Sequence, residues 1–490
     1  MADGHYLIGI DVGTTAVKGG LFDFTGAPIA HHSIAYPTAR PEPQRVEQDP
    51  EDWTRAVEAI LAILLRNARP GSIAAIGLCS QVNTHVFIDR AGAVLMPAIV
   101  WQDGRAAAVA AELDAQVTAG QKRAWWAADF AIGATSALSR MAWVARHRPD
   151  IWARTANVLS PKDYCLLKMT GVLAGDPVSA FDLVDANGHY IPQLLALVPG
   201  AADRLPPLRS FDAVIGRVAG PLFLGEGPPV VNGVMDGWAC LPGAGVSRPG
   251  EGAYISGTSE IVALVSDRKV GAPGIVSFLP VGGWHVHAGP TQSGGDSLRW
   301  FADAAGRTID DVLAQAARAD RSRSRVLFLP HLEGERAPLW DPYSRGAFIG
   351  LGSRAGFADL AAAVLEGVAF SARLLFEAAS LAAGMAYDSL FLGGGGARSD
   401  LWRQIRADIL GVELRCSPFL DSGTLGAAII AAVGIGAFPS LESAVTAMRR
   451  PGRAVGPDPA LRARYDDLFG LYQETYRALG PVNGRLSRLV

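Results

Sequence analysis

Two stretches of the 490-residue chain share one form: Ile8-Gly-Ile-Asp-Val-Gly-Thr-Thr15 and Gly252-Ala-Tyr-Ile-Ser-Gly-Thr-Ser259. In each, an apolar run that predicts a strand ends in a tight turn of Asp or Ser, Gly and hydroxyl residues. A second run, Ala16 to Phe24, follows the first stretch and closes at Thr25-Gly26, so the opening reads as a hairpin with a polar turn. One Gly-Thr turn says little, because ordinary hairpins use such pairs. Two of them, at the heads of the two halves, indicate related domains facing each other. The stretch Gly243 to Gly250, containing Gly, Ser and Pro, sets the expected boundary and gives domains over 1–245 and 246–490.

Working outward, strands and helices alternate. Asp49-Pro50 opens a helix, with Asp as cap and Pro at the first helical position, and Trp53, Val57, Ile60, Leu61 and Leu64 form its buried face. Ile73 to Cys79 reads as the next strand. In the second half a long helical pattern runs from Asp359 to Ala379. Leu390 to Leu392 is a short strand entering Gly393-Gly394-Gly395-Gly396. A helix then begins at Ser399 or Asp400 and ends at Gly411. The class is α/β, sheets with helices packed on them.

Composition excludes several functions. A net charge of -3 leaves no bulk positive field for nucleic acid or an anionic membrane. The four cysteines, Cys79, Cys165, Cys240 and Cys416, are far apart in mainly apolar surroundings and read as small buried hydrophobes in a reducing compartment. The longest apolar stretch, Leu425 to Phe438, is too short for a membrane span, and the N-terminus lacks the form of a signal peptide. The expectation is a cytoplasmic protein.

Three segments carry candidate chemistry. The hydroxyl turns offer backbone N–H groups and side-chain hydroxyls to phosphate oxygens. Asp11, beside the first turn, would repel phosphate unless it holds Mg²⁺, directly or through water. The four-glycine turn lets the backbone lie flat against a base or ribose, although neither the Walker loop nor the dinucleotide glycine spacing is present. Asp236 ends the apolar run Val230-Val-Asn-Gly-Val-Met235 at a polar turn, a place where a carboxylate can accept a hydroxyl proton during attack on phosphorus. Trp101-Gln-Asp-Gly-Arg105 offers an aromatic face and a charged pair for a polyol, and is equally a surface turn with an ion pair.

Together these segments resemble the FGGY family of carbohydrate kinases. The resemblance runs from Ile8 to about Val433 through Ala98-Ile-Val-Trp-Gln-Asp-Gly-Arg105, Pro161-Lys-Asp-Tyr164, Ile255-Ser-Gly-Thr-Ser259, Phe328 to Arg336, Gly346 to Leu351, Asp359-Leu360 and Ala363 to Glu366, and Gly393 to Ser399. It implies two actin-like (ribonuclease H-like) domains with a nucleotide and sugar cleft between them, sugar mainly on the first and ATP-Mg²⁺ mainly on the second. By that resemblance Asp236 is the general base and Asp11 helps place the metal. Thr14, Thr15, Gly257 and Thr258 contact phosphates, Gly394, Gly395 and Ala397 approach the adenosine, and Gly294 and Ser297 line the nucleotide side. Gln81, Val82, Asn83, Trp101, Asp103 and Asp236 surround the sugar, and a homodimer is a candidate assembly.

The resemblance is strongest to the family's xylulokinases, with departures at the acceptor side. Gln81-Val82-Asn83-Thr84 stands where those have Gln-Met-His-Gly. His85 lies two residues further on, and read as a strand that slip moves the ring about 6–7 Å. Asp236-Gly-Trp238 replaces Asp-Asn-Ala, raising the question whether Trp238 lines the pocket or fills the core. Arg140 stands where Lys is expected. A pentulose is the first expected substrate. Another polyol or ketose is the rival, and an actin-like ATPase without sugar chemistry is the alternative from another class.

Overall fold

The computed structural model describes residues 5–69, 71–126, 131–220, 226–278, 280, 283–450 and 452–489. The chain forms two compact units, one of 1–243 with 422–450 and one of 244–421 with 451–490.

In the first unit, β1 (Tyr6–Val12) and β2 (Ala16–Phe22) form the expected hairpin, and β3 (Pro28–Ala35) extends it. Helix α1 (Pro50–Leu65) follows, capped by the Asp49 side chain as its sequence signals. Strand β4 (Ile73–Ser80) lies parallel to β1. Further along lie helices α2 (Ala137–His147) and α3 (Pro161–Thr170), and later the strands β5 (Val214–Arg217) and β6 (Pro229–Met235). The sheet order is β3-β2-β1-β4-β6-β5, with β1, β4 and β6 parallel and the other neighbours antiparallel. Helix α4 (Asp236–Ala244) starts directly from β6.

The second unit repeats this plan. The strands of its main sheet are β7 (Gly252–Ser256), β8 (Glu260–Ser266), β9 (Val276–Ser277), β10 (His285–Pro290), β11 (Ser389–Gly393), β12 (Glu413–Cys416) and β13 (Ala454–Val455). They are ordered β9-β10-β8-β7-β11-β12-β13. Here too a hairpin, β7 with β8, leads into parallel neighbours, β11 and then β12. Its helices include α5 (Gly295–Ala304), α6 (Phe357–Ala383), which overruns the expected bounds at both ends, and α7 (Asp400–Leu410), capped by Ser399 and stopped by left-handed Gly411. The repeat read from the two hydroxyl turns is therefore a repeat of topology.

One boundary needs correction. The expected continuous second domain, 246–490, does not hold, because α8 (Ser422–Gly434) and α9 (Leu441–Met448) pack into the first unit. The cause lies in glycines. A Cβ at Gly9 of β1 would stand 1.8 Å from the Thr424 carbonyl oxygen, and one at Gly77 of β4 would stand 2.0 Å from that of Ala427. Only glycine admits α8 so close to the sheet. The long apolar run is thus a core helix of the first unit, buried from Ser422 to Ala432. Helix α10 (Arg462–Leu486) returns to the second unit, where Tyr465, Phe469 and Tyr472 join the core around α6. No described helix is long and apolar enough to cross a membrane. Cys79, Cys165 and Cys416 are buried as expected, while Cys240 is only half-buried.

Candidate active site

In the first unit the carboxyl ends of β1, β4 and β6 lie side by side, with Val12 opposite Ser80 and Ser80 opposite Met235. Ligands of open α/β sheets collect at such strand ends. Asp11, Gln81 and Asp236 project from this row. Asp11 lies within β1 rather than in the turn, which comprises Gly13 to Thr15. Asp236 does not sit in a turn either. It is the first residue of α4, and its own carboxylate accepts from Gly237 N at 2.7 Å.

The two carboxylates act on each other. Burial, and then the negative charge of Asp11, push the Asp236 carboxyl up from 3.8 to about 7. A group at that position is part base and part acid near neutral pH, which suits proton acceptance. Asp11 is itself 7% exposed, and a Cβ at Gly423, at the start of α8, would come within 2.8 Å of its Oδ2. The far end of the chain thus presents a helix N-terminus, the positive end of its dipole, to Asp11.

The Gly13–Thr15 turn is held by its carbonyls. Tyr36 Oη donates to Gly13 O, Gln48 Nε2 donates to Thr14 O at 2.7 Å, and Tyr36 N donates to Thr15 O at 3.3 Å. Carbonyl oxygens repel phosphate, so tying them to protein donors suits an anion-binding turn. Thr15 is exposed and Thr14 half-buried. The Trp101 indole donates to Thr14 Oγ1 at 2.9 Å, joining the two motifs. Gln81 Nε2 donates to Gln48 Oε1 at 2.9 Å, while its own Oε1 is buried with no protein partner.

Several acceptor-side expectations change. Val82 and Asn83 form a turn, and Asn83 has φ of 53°. The strand-slip argument for His85 therefore fails. Its ring instead lies 3.0 Å from Arg140 Nη1, and burial followed by that positive charge holds it well below the usual histidine range, so it is neutral. Buried Arg140 also donates to the carbonyls of Asn83, Ile99 and Val100, pinning the 82–84 turn to the Trp101 segment. Asp103 is not at the surface. It is 1% exposed and accepts from Val46 N at 2.6 Å and from Arg105 Nε and Nη2 at 2.9 and 2.7 Å. With both oxygens engaged, it anchors the segment. Trp238 is 1% exposed and packs on Phe211 at 5.0 Å, which answers its question in favour of the core. In the Pro161–Tyr164 motif, buried Lys162 bridges Asp163 at 2.5 Å and Asp176 at 2.9 Å, and its N–H bonds Ser80 Oγ at the end of β4.

The second unit carries the other predicted residues. The turn Gly257–Ser259 leaves Gly257 and Thr258 exposed. Its carbonyls also face protein: Gly295 N donates to Gly257 O at 2.9 Å and Gly294 N donates to Thr258 O at 2.8 Å. Gly294 caps α5, and a Cβ there would meet Glu260 Oε1 at 2.7 Å. Ser297 is fully buried behind the turn, and its Oγ has no protein partner.

Beside this turn, β11 delivers the glycine loop, with Ile255 opposite Gly393. The glycines serve different purposes. Gly394 has φ of 84°, and a Cβ on it would strike Ser256 O at 2.3 Å. A Cβ on Gly396 would strike Ser256 Oγ at 2.0 Å, whereas Gly395 is exposed with nothing within 4 Å. So two of the glycines fit the loop to its own protein, and Gly395 is the one left open. Ala397 is buried beneath it.

Comparison with known proteins places this architecture. The N-terminal domain of the FGGY family of carbohydrate kinases matches residues 6–243 and its C-terminal domain matches 252–435. The chain belongs to this family. It is 32% identical to a xylulose kinase of Escherichia coli over 488 residues, covering 97% of this chain and 99% of that one. A gluconokinase of Bacillus subtilis is 28% identical over 506 residues, covering 99% and 96%. The solved structure of ligand-bound xylulose kinase from Lactobacillus acidophilus superposes with a TM-score of 0.90 at 26% identity, covering 98% of this chain and all of that one. The protein is accordingly a carbohydrate kinase, a phosphotransferase that uses ATP.

The residues present fit a nucleotide-borne metal. Mg²⁺ takes one or two carboxylates with waters and phosphate oxygens, and Asp11 is one such carboxylate. Among the described residues no group of three or more His, Cys, Asp or Glu is placed to hold a resident metal. The roles of Tyr36, Gln48, Gly423 and Arg140 escaped sequence reasoning, since each acts through a contact between distant segments. Only glycine at the head of an apolar helix gave Gly423 a signal.

Proposed function

We propose that the protein transfers the γ-phosphoryl group of ATP to a hydroxyl of a small sugar, D-xylulose or a related pentulose first. The observation carrying this reading is Asp236: a carboxylate at the end of a parallel strand, raised to about 7 by burial and Asp11. In the proposed reaction the acceptor oxygen attacks phosphorus and its proton passes to the Asp236 carboxylate. The bond from phosphorus to the bridging oxygen breaks, and ADP leaves with that electron pair. Mg²⁺ bound with ATP supplies neutralisation of phosphate charge, and Asp11 would hold it. Thr14, Thr15 and Thr258 offer hydroxyl and N–H donors to phosphate oxygens, while Gly257, whose own N–H donates to Ser259 O at 3.0 Å, shapes the second turn. Gly394, Gly395 and Ala397 form the adenosine side, with Gly294 and Ser297 behind the phosphate turn. Gln81, Val82, Asn83 and Trp101 meet the sugar, and Asp103 keeps Trp101 in place.

A second acceptor class is supported by a specific feature. Val82-Asn83, in a left-handed turn pinned by Arg140, departs in sequence from the motif of xylulokinases, and a glycerol kinase of Gloeobacter violaceus is among the relatives. A different ketose or polyol, of ribulose, glycerol or erythritol type, is the competing substrate. Asp236→Asn tests the shared mechanism: sugar-dependent ADP release should fall by at least about 10²-fold with ATP binding retained. Turnover near that of the wild type would remove Asp236 from its role.

A further inference from the structure

The second unit contains a fully buried arginine whose hydrogen bonds reach β7, the start of β8 and the glycine loop, around the two segments assigned above to ATP. Arg406, on α7, donates from Nη2 to Ser256 Oγ at 2.6 Å, at the root of the hydroxyl turn. The same nitrogen lies 3.3 Å from Glu260 Oε1, on the far side of that turn. Nη1 donates to the Gly396 carbonyl at 3.0 Å, and Nε donates to Tyr254 Oη at 3.1 Å. Ser256 Oγ in turn donates to Glu260 Oε1 at 3.0 Å. The guanidinium is stacked 3.8 Å from the Trp402 ring centroid, and both charged side chains are 0% exposed.

An arginine and a glutamate buried this completely are a poor way to gain stability. Taking both charges out of water costs as much as their attraction returns, and an apolar pair of similar volume would do as well. What the guanidinium supplies is geometry, because its planar fork bonds several acceptors in fixed directions at once. Here the acceptors are the two ends of the Gly257–Ser259 turn and the backbone of the glycine loop. The loop lies so close to Ser256 that Gly394 and Gly396 admit no Cβ. A small shift of Ser256 would therefore move both segments.

We propose that Arg406, paired with Glu260 through Ser256, is a positioning residue for the nucleotide, locking the phosphate turn and the glycine loop in one relative geometry before ATP arrives. Preorganisation of this kind appears in affinity for the ligand whose contacts are fixed, and not in affinity for another substrate. The inference rests on the kinase reading, and its experiment separates the two.

The test uses the full-length enzyme with ATP-Mg²⁺ as the probe. Calorimetric titration of the wild type comes first, then of Arg406→Lys and Ser256→Ala. The lysine keeps the charge and loses the fork; the alanine removes only the central hydroxyl and stays readable if the lysine variant fails to fold. For each variant that folds, the Kd and KM for ATP should rise at least about tenfold while the sugar KM and the kcat at saturating ATP stay within about threefold. Unchanged ATP affinity in a folded variant would overturn the positioning role, as would a fall in kcat with both KM values unchanged, which signals only less active protein. A wild type that does not bind ATP at all would overturn the kinase reading and this inference with it.

Discussion

The raised carboxyl of Asp236 makes the catalytic arrangement costly to the fold, and the cost has a pH signature. In the unfolded chain the group ionises near 3.8, and in the folded protein near 7. Between those values the folded state holds a proton that the unfolded state has lost, so stability falls as pH rises through the window and levels off above 7. Asp236→Asn removes this dependence. Raising the pH from about 5.5 to about 8 carries the wild type through roughly the last 1.5 pH units of that window, a loss of about 2 kcal/mol. Solvent reaching this partly buried carboxylate reduces that to about 1–2 kcal/mol. The asparagine variant, though catalytically crippled, should therefore gain on the wild type by roughly 1–4 °C in Tm between those pH values. Differential scanning calorimetry across the range reads the gain directly. A difference between variant and wild type that is independent of pH would refute the coupling of Asp236 to burial and Asp11. So would a variant that loses ground as pH rises.

Other outcomes follow from particular contacts. Gly9→Ala should unfold or destabilise the first unit by about 1–3 kcal/mol or more, seen by urea titration, because its Cβ meets the Thr424 carbonyl of α8. Gly395→Ala should leave thermal stability nearly unchanged and raise the KM for ATP, whereas Gly396→Ala, colliding with Ser256, should lower Tm as well. Trp238→Phe should change the sugar KM by less than about threefold while lowering stability by about 1–3 kcal/mol, since the indole packs in the core against Phe211.

The periodic parts of the fold were legible in the sequence. The Asp49-Pro50 cap, the Ser399 cap, the Gly411 stop and the opening hairpin all stand where local chemistry puts them. The repeat of topology was readable because both halves end their first strand in the same turn. Contacts between remote segments were not readable. Helix α8 belongs to the first unit because Gly9 and Gly77 admit it, and a glycine inside a strand does not say which helix approaches. Val82 and Asn83 carry strand-like neighbours, yet the carbonyl bond from Arg140 favours a left-handed turn. Asp103 reads as an exposed ligand until Val46 and Arg105 are found to occupy it. The open glycine also needed the structure, since four consecutive glycines conceal that two of them face inward.

The central claim is that ATP cleavage here is phosphoryl transfer to a sugar. It is tested most directly by measuring ADP and sugar phosphate together, by coupled assay and phosphorus NMR, across a panel of ketoses and polyols including D-xylulose. Negligible ADP is expected without sugar, and one sugar phosphate per ADP with an accepted substrate. ADP release at the same rate with no sugar present, and no phosphorylated sugar formed with any compound in the panel, would contradict it.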